Sequence, residues 1–96
     1  MPGYVYIMAN KPNGTLYIGV TSNLVRRVYE HREGVVDGFT DRYDIKRLVY
    51  FEQYDEMERA IQREKTMKKW PRDWKVALVN QNNEKWVDLF PGIASG

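Results

Sequence analysis

Apolar and polar positions fall into short blocks of distinct period along this chain. Tyr4 to Ala9 and Thr15 to Val20 are runs of aromatic and β-branched residues separated by Asn10, Lys11, Pro12, Asn13 and Gly14. The runs read as strands and the residues between them as a turn with a left-handed glycine, so the pattern predicts a β-hairpin. Thr21, Ser22 and Asn23 offer capping oxygens ahead of Leu24, Val25 and Val28, which predicts a helix from about Asn23 to Glu33. A polar, glycine-containing loop is expected from Gly34 to Asp44. Lys46 to Glu52 follows as a buried strand, with Leu48, Val49, Tyr50 and Phe51 as its continuous apolar run.

Asp55 and Glu58 have the spacing of a capping box, and Met57, Ala60, Ile61, Glu64 and Met67 recur at helical intervals. They predict a second helix from about Glu56 to Lys69. Pro71 cannot continue it but suits the first turn of a third helix, with Trp74, Ala77 and Leu78 on one face. The order β-β-α-β-α-α predicts an α+β domain, a small, mainly antiparallel three-stranded sheet flanked by helices, over residues 1–90. Residues 91–96 are expected to form a flexible tail.

With 96 residues the chain has room for one core, so one domain must carry the function. Its 29% charged residues speak against a membrane protein, and the start of the chain has no basic region followed by a long apolar run, so a cytoplasmic protein is expected. There is no cysteine and only one histidine, which excludes thiolate and polyhistidine metal sites and leaves oxygen ligands for any metal. A net charge of +2 says little about partners, but Arg59, Arg63, Lys65, Lys68, Lys69, Arg72 and Lys75 are offset locally only by Glu64 and Asp73. That stretch suits a phosphate backbone, and equally a solvated helix face.

Candidate chemistry sits on three elements. The hairpin brings Tyr6 opposite or nearly opposite Tyr17 on one face of the sheet, a pair that by itself more often reads as cross-strand packing. Arg27 and His31 are four residues apart at the edge of the first helix's apolar stripe. There a guanidinium can bind phosphate and an imidazole can meet a reacting water, while Arg26 and Arg32 lie on other parts of the helix and suit general phosphate attraction. Glu64 lies inside the apolar stripe of the second helix, where a carboxylate needs a metal, a raised pKa or a salt bridge to Arg27 or a neighbouring lysine.

Tyr4, Val5, Tyr6 and Tyr17, Ile18, Gly19, followed by Asn23, Leu24, Arg26, Arg27 and His31 and then Ala60, Arg63, Glu64, Lys65, Lys68, Lys69 and Trp70, resemble the GIY-YIG nucleases over most of the chain. The stretch from Arg63 to Trp70, with Asn82, Asn83, Trp86, Asp88 and Leu89, is similar to the small single-domain bacterial branch of that family. Tyr4 stands where the family has the first glycine of its GIY element, and Glu84 stands where proline commonly follows the family asparagine. The resemblance implies a metal-dependent endonuclease: Glu64 as the metal ligand, Arg27 as the phosphate-stabilising cation, Tyr6 and Tyr17 as the hydroxyl pair around the attacking water, His31 as a functional histidine, and Asn83, chosen over Asn82, as the family asparagine.

The expected reaction is hydrolysis of phosphodiester bonds with Mg²⁺, for which Mn²⁺ can substitute, and with Tyr6 as general base and Tyr17 as orienting hydroxyl, or the two in reversed order. Arg26, Lys65, Lys68, Lys69 and Asn83 are the expected nucleic-acid contacts. The expected partner is DNA, cut by structure rather than by long sequence and serving repair or recombination, with no membrane and no small-molecule cofactor. The rival expectation is a non-catalytic nucleic-acid-binding module that uses its tyrosines as stacking platforms. A protein-interaction domain presenting Trp70, Trp74 and Trp86 ranks last, because those rings also serve as core anchors.

Overall fold

The run from Val5 to Ala9 has no polar interruption because the strand it forms is covered on both faces, and each of these residues is 0% exposed. In the computed structural model, which describes residues 1–35 and 38–95, this strand, β1 (Gly3–Ala9), lies between β2 (Leu16–Thr21) and β3 (Arg47–Tyr54). The sheet is three-stranded and antiparallel, in the order β2-β1-β3. Between Ile7 and Met8 the β1–β3 register shifts: Tyr50 pairs with Ile7 and Leu48 with Met8, so Val49 is the additional residue of a bulge. The bulge lets Val49 enter one core and Leu48 the other, which is why this strand reads as a continuous apolar run rather than an alternating one.

The helices are α1 (Leu24–Arg32), α2 (Gly38–Arg42), α3 (Met57–Lys68), α4 (Arg72–Asn82) and α5 (Phe90–Ala94). Val5, Ile7, Ala9 and Ile18 pack on one face of the sheet with Ala60 and Met67 of α3, Val79 of α4 and Trp86. Tyr6, Met8 and Leu48 pack on the other with Leu24 and Val28 of α1, Ile45, and Phe90 and Ile93 of α5. The α+β architecture with a small antiparallel sheet is therefore as the pattern predicts.

Several local expectations change. The left-handed turn residue is Asn13, at φ 58°, rather than Gly14. Asn23 caps α1 as predicted, its Oδ1 accepting the Arg26 N–H at 3.1 Å. The capping box at α3 is not formed: the N-cap is Glu56, without a side-chain bond, and the Met57 N–H instead donates to the Met1 carbonyl at 2.9 Å. Part of the expected 34–44 loop is α2, while residues 36 and 37 lie outside the described residues. The stretch expected to fray carries α5, whose Ile93 packs on the α1 side of the sheet, and residue 96 is not described. On α4 it is Val79 that is buried, whereas Ala77 and Trp74 face outward.

The chain after α4 is tied to β3 by backbone and carboxylate bonds. Asp88 Oδ1 accepts the Leu48 N–H at 3.1 Å and the Phe90 N–H at 3.0 Å, and Asp88 Oδ2 pairs with Arg32 of α1. This one side chain joins α1, β3 and α5.

Glu52 of β3 faces α3, and its partial burial is compensated by a dense set of donors. Arg63 donates Nε and Nη2, each at 3.0 Å, the Tyr54 hydroxyl donates at 2.8 Å, and Tyr50 donates to the second oxygen. The Arg63 guanidinium also lies over the Trp70 ring, 4.9 Å from its centroid. Burial alone would raise the Glu52 pKa, but the hydrogen bonds from Arg63, Tyr50 and Tyr54 outweigh it and hold the carboxyl below its ordinary value. Burial, and then the adjacent carboxylate, push Tyr50 upward.

Because the folded pKa of Glu52 lies below the unfolded value of about 4.3, its contribution to stability is complete above that value. It is lost as pH falls through the lowered folded value. At pH 7, Glu52→Gln should be less stable by about 2 kcal/mol, since charge-assisted hydrogen bonds become ordinary ones. Thermal melts should show this gap closing between about pH 5 and pH 3. Parallel melting curves for parent and variant across that range would show that the clamp carries no net charge energy.

Candidate active site

Tyr6 lies opposite Gly19 in the β1–β2 register and Tyr17 lies opposite Met8, so the two tyrosines sit diagonally on the α1 face of the sheet. Their ring centroids are 6.3 Å apart. Gly19 makes the arrangement possible: a Cβ there would lie 2.4 Å from both Cζ and the hydroxyl oxygen of Tyr6, whose ring crosses the glycine. Tyr6 is completely buried and Tyr17 only partly so.

The Asn23 cap sets where α1 begins, and with it which residues turn toward the sheet. Val28 and His31, three apart, both point inward and are 0% exposed. His31 was expected at the edge of the stripe beside Arg27, within reach of water or phosphate. It is instead inside the protein, because residues four apart on a helix differ by about 40° in direction and that offset carries His31 over the seam. Its Nε2 is 2.9 Å from the Tyr6 hydroxyl and its Nδ1 is 3.1 Å from Oγ1 of Thr40 on α2. The Tyr17 ring stands edge-on to the imidazole, with 5.1 Å between centroids.

Arg27 stays at the surface side, with its side chain 39% exposed. Glu30 pairs with both neighbouring arginines, at 3.4 Å from Arg27 Nε and 3.4 Å from Arg26 Nε. These three residues, with Thr21, Ser22 and Asn23, line a polar cleft of about 220 Å³ at the start of α1. An entering phosphate would compete with Glu30 for both guanidinium groups.

Glu64 belongs to α3, the helix that covers the opposite face of the sheet. Its side chain is 14% exposed, and Lys68 Nζ lies 3.2 Å from Oε2. The partly buried carboxylate expected from the helical period is therefore present, paired with a lysine one turn on. Among the described residues no group of three or more His, Cys, Asp or Glu could hold a metal ion. The donor set here is one carboxylate, which fits a hard cation completed by water and phosphate oxygens and does not fit a protein-enclosed site.

Lys65, Lys68 and Lys69 are exposed along the end of α3, but much of the basic run is engaged within the fold. Arg63 clamps Glu52, and Arg72 Nη2 donates to the carbonyls of Asn13 and Gly14 at 2.8 Å and 2.7 Å. Asn83 stands apart from the tyrosines. Its Nδ2 donates to the Val49 and Val87 carbonyls at 3.0 Å and 2.8 Å while Oδ1 accepts the Val87 N–H. Its amide thus closes the turn after α4. Sequence reasoning did not single out Thr40, Glu30, Glu52 or the packing need at Gly19. Only Glu52 had a readable signal, sharing one strand face with Tyr50 and Tyr54 at alternate positions.

Comparison with known proteins places this geometry in a family context. The family model described as the GIY-YIG catalytic domain matches residues 2–77. The UPF0213 protein of Clostridium perfringens is 35% identical over 92 residues, covering 90% of this chain and 98% of its own length. A UPF0213 protein of Natronomonas pharaonis is 38% identical over 76 residues, covering 79% of this chain and 88% of its own. The solution NMR structure of the UPF0213 protein BH0048 from Bacillus halodurans superposes with a TM-score of 0.54 at 30% identity, covering 85% of this chain and 86% of that one.

The contact at Gly19 has a direct consequence. Gly19→Ala should drive the Tyr6 ring off its seat and lower stability by about 1–3 kcal/mol, the range for overpacking a filled site. Chemical denaturation of parent and variant measures this. A variant as stable as the parent would show that the ring can shift without cost.

Proposed function

Because the chain belongs to the GIY-YIG catalytic-domain family, a nuclease family acting on nucleic acid, we propose that it is an endonuclease hydrolysing phosphodiester bonds in DNA, with Tyr6, Tyr17, Arg27, His31 and Glu64 as its working residues. The observation that supports this best is the buried 2.9 Å contact between the Tyr6 hydroxyl and His31 Nε2, beside the partly exposed Tyr17. A stacking platform for bases needs an exposed ring, and Tyr6 has none. A phenol held against an imidazole is instead suited to moving a proton.

In this reading the attacking water reaches Tyr6 past Tyr17, whose hydroxyl orients it. The Tyr6 proton passes to His31 Nε2 as the tyrosine oxygen takes the proton of the water. The water oxygen bonds to phosphorus, the bond from phosphorus to the leaving deoxyribose oxygen breaks, and that oxygen takes a proton from solvent. Arg27, released from Glu30, balances the charge that builds on the phosphate. Glu64, now paired with Lys68, would hold Mg²⁺, or Mn²⁺ in its place, and such an ion would supply charge stabilisation to the phosphate and leaving oxygens. Arg26, Lys65, Lys68 and Lys69 attract the backbone, and Asn83 acts at one remove by holding the turn after α4. The small reach of the chain favours recognition of DNA structure over long sequence, as repair or recombination requires.

Labelled linear, flapped, branched and single-stranded DNA and RNA, each incubated with magnesium, manganese or chelator, test the reading. Cleavage of DNA that stops in chelator is expected; intact substrates throughout would favour the binding module. Arg27→Ala should lower turnover by about a hundredfold, the scale of losing one transition-state donor, with little change in substrate affinity. Glu64→Gln should abolish cleavage yet melt within about 0.5 kcal/mol of the parent in chelator, because its ion pair among the described residues is an i,i+4 contact with an exposed lysine. If that variant instead unfolds, Glu64 is structural.

A second measurement concerns the exposed lysines. Replacing Lys68 and Lys69 together with glutamine should weaken binding to unrelated DNA sequences alike and flatten its salt dependence. An unchanged salt slope would place nucleic acid away from this end of α3.

A further inference from the structure

The sheet face beneath α1 carries a second opening, near the start of β1. Tyr4 pairs with Gln53 and Tyr6 with Phe51 in the β1–β3 register, so the Tyr4 and Phe51 rings are diagonal neighbours on that face, with Gln53 beside them. Leu24 and Val25 of α1 and Ile93 of α5 complete a pocket of about 370 Å³ over these residues. Its floor is continuous with the α1-side core, since Leu24 is 5% exposed and Tyr4, Phe51 and Ile93 pack against that cluster. The rim is polar, with Ser22, Asn23 and Gln53 exposed to solvent.

Two of these rim residues, Ser22 and Asn23, also line the polar cleft that holds Arg26, Arg27 and Glu30. An aromatic-walled pocket and a cleft with two guanidinium groups therefore meet across a short piece of chain, in which consecutive Cα atoms are about 3.8 Å apart. An occupant of both needs an apolar, flat body with a polar edge, and an anionic group close by. A nucleotide has that form, with its base for the pocket and its phosphate for the arginines. The volume is at the small end of ligand pockets, which run from about 300 to 1,000 Å³, and suits one base rather than a base pair. A base inside a duplex is unavailable, because its faces are stacked and its edge is paired. We propose that this pocket receives one unpaired nucleobase of the substrate, against Tyr4 and Phe51, while the phosphate of the same nucleotide lies at Arg26 and Arg27. The inference deepens the reading above: it rests on nucleic acid as the substrate, and not on the roles given there to the buried tyrosine, the histidine or Glu64. It makes the nucleotide beside the bound phosphate single-stranded or turned out of its helix, which gives recognition of DNA structure a place on the molecule.

Binding is measured in chelator, to keep the probe intact. The probe is a short deoxyribose-phosphate strand whose residues are abasic except for one central 2-aminopurine, compared with the same strand made wholly abasic. The two carry equal charge, and the single base cannot slide to another register. The parent should bind the base-bearing strand about tenfold more tightly, the scale of one base on an aromatic platform, and should quench its fluorescence. Tyr4→Ala should remove both the preference and the quenching. Gly92→Leu should remove the preference with every native wall kept, because Gly92 lines the pocket and a Cβ there meets nothing within 4 Å. Equal binding of the two strands by the parent, or a folded Tyr4→Ala variant that keeps the preference, would overturn the base pocket and leave nucleic acid as the substrate. If the alanine variant does not fold, Gly92→Leu decides in the same way. A parent that binds neither strand would count against the nucleic-acid reading and the pocket together. A parent that shows the preference yet cuts nothing with magnesium or manganese would count against the endonuclease reading alone.

Discussion

The covering of β1 on both faces governs the rest of this structure. A strand sends alternate side chains to opposite sides, so Tyr6 and Met8 enter the core beneath α1 while Val5, Ile7 and Ala9 enter the core beneath α3. A slip of one residue would exchange the two sets and place a phenol hydroxyl among Ala60, Met67 and Val79. Register is accordingly pinned at several points: by the Val49 bulge, by the empty side of Gly19 where the Tyr6 ring lies, and by Asp88 binding the Leu48 N–H.

Because neither face of the sheet is open, each polar side chain directed inward has partners built for it. Among the described residues no buried side-chain nitrogen or oxygen lacks a hydrogen-bond partner. The two inward polar groups differ in kind. On the α3 side Glu52 is pinned by Arg63, Tyr50 and Tyr54, with its carboxyl pK lowered and that of Tyr50 raised, so protons there are held in place. On the α1 side Tyr6 and Thr40 flank the His31 imidazole at 2.9 Å and 3.1 Å. The first group ties β3 to α3, and the second ties β1 to α1 and α2. They cooperate at one point: Arg63 precedes Glu64 on α3, so the clamp on Glu52 also restrains the helix that presents the candidate metal ligand.

Charge is divided in a similar way. Arg32, Arg63 and Arg72 each join separate parts of the chain, to Asp88, to Glu52 and to the turn carbonyls at Asn13 and Gly14. Among the cations at the surface, those at the start of α1 and the end of α3 are already paired, Arg26 and Arg27 with Glu30 and Lys68 with Glu64. These are exposed or half-exposed pairs, weak enough for a polyanion to replace.

Much of this was legible in the order of residues. The hairpin, the three main helices and the α+β class follow from local period and capping, which depend on neighbours in the chain, and the Asn23 cap and the partly buried Glu64 were read from the same signals. The ordered tyrosines, arginine, histidine and glutamate carried the family resemblance, and the chain's membership of that family agrees with it. What local pattern could not supply was decided by packing between distant segments. Asp55 and Glu58 have capping-box spacing, yet α3 begins against the Met1 carbonyl because the start of the chain lies there. Asn83, read as a contact for nucleic acid, also closes a turn against β3, a role that no local pattern announced. His31 looked like an edge residue and is sealed between Tyr6 and Thr40, because the latter arrives from α2, in a stretch that has no periodic signal of its own. The sequence by itself determined which elements form and which residue types are available for chemistry, since both depend on short-range backbone preference. Only the tertiary structure decided which of those side chains meet, because burial and hydrogen-bond partnership depend on segments far apart in the chain.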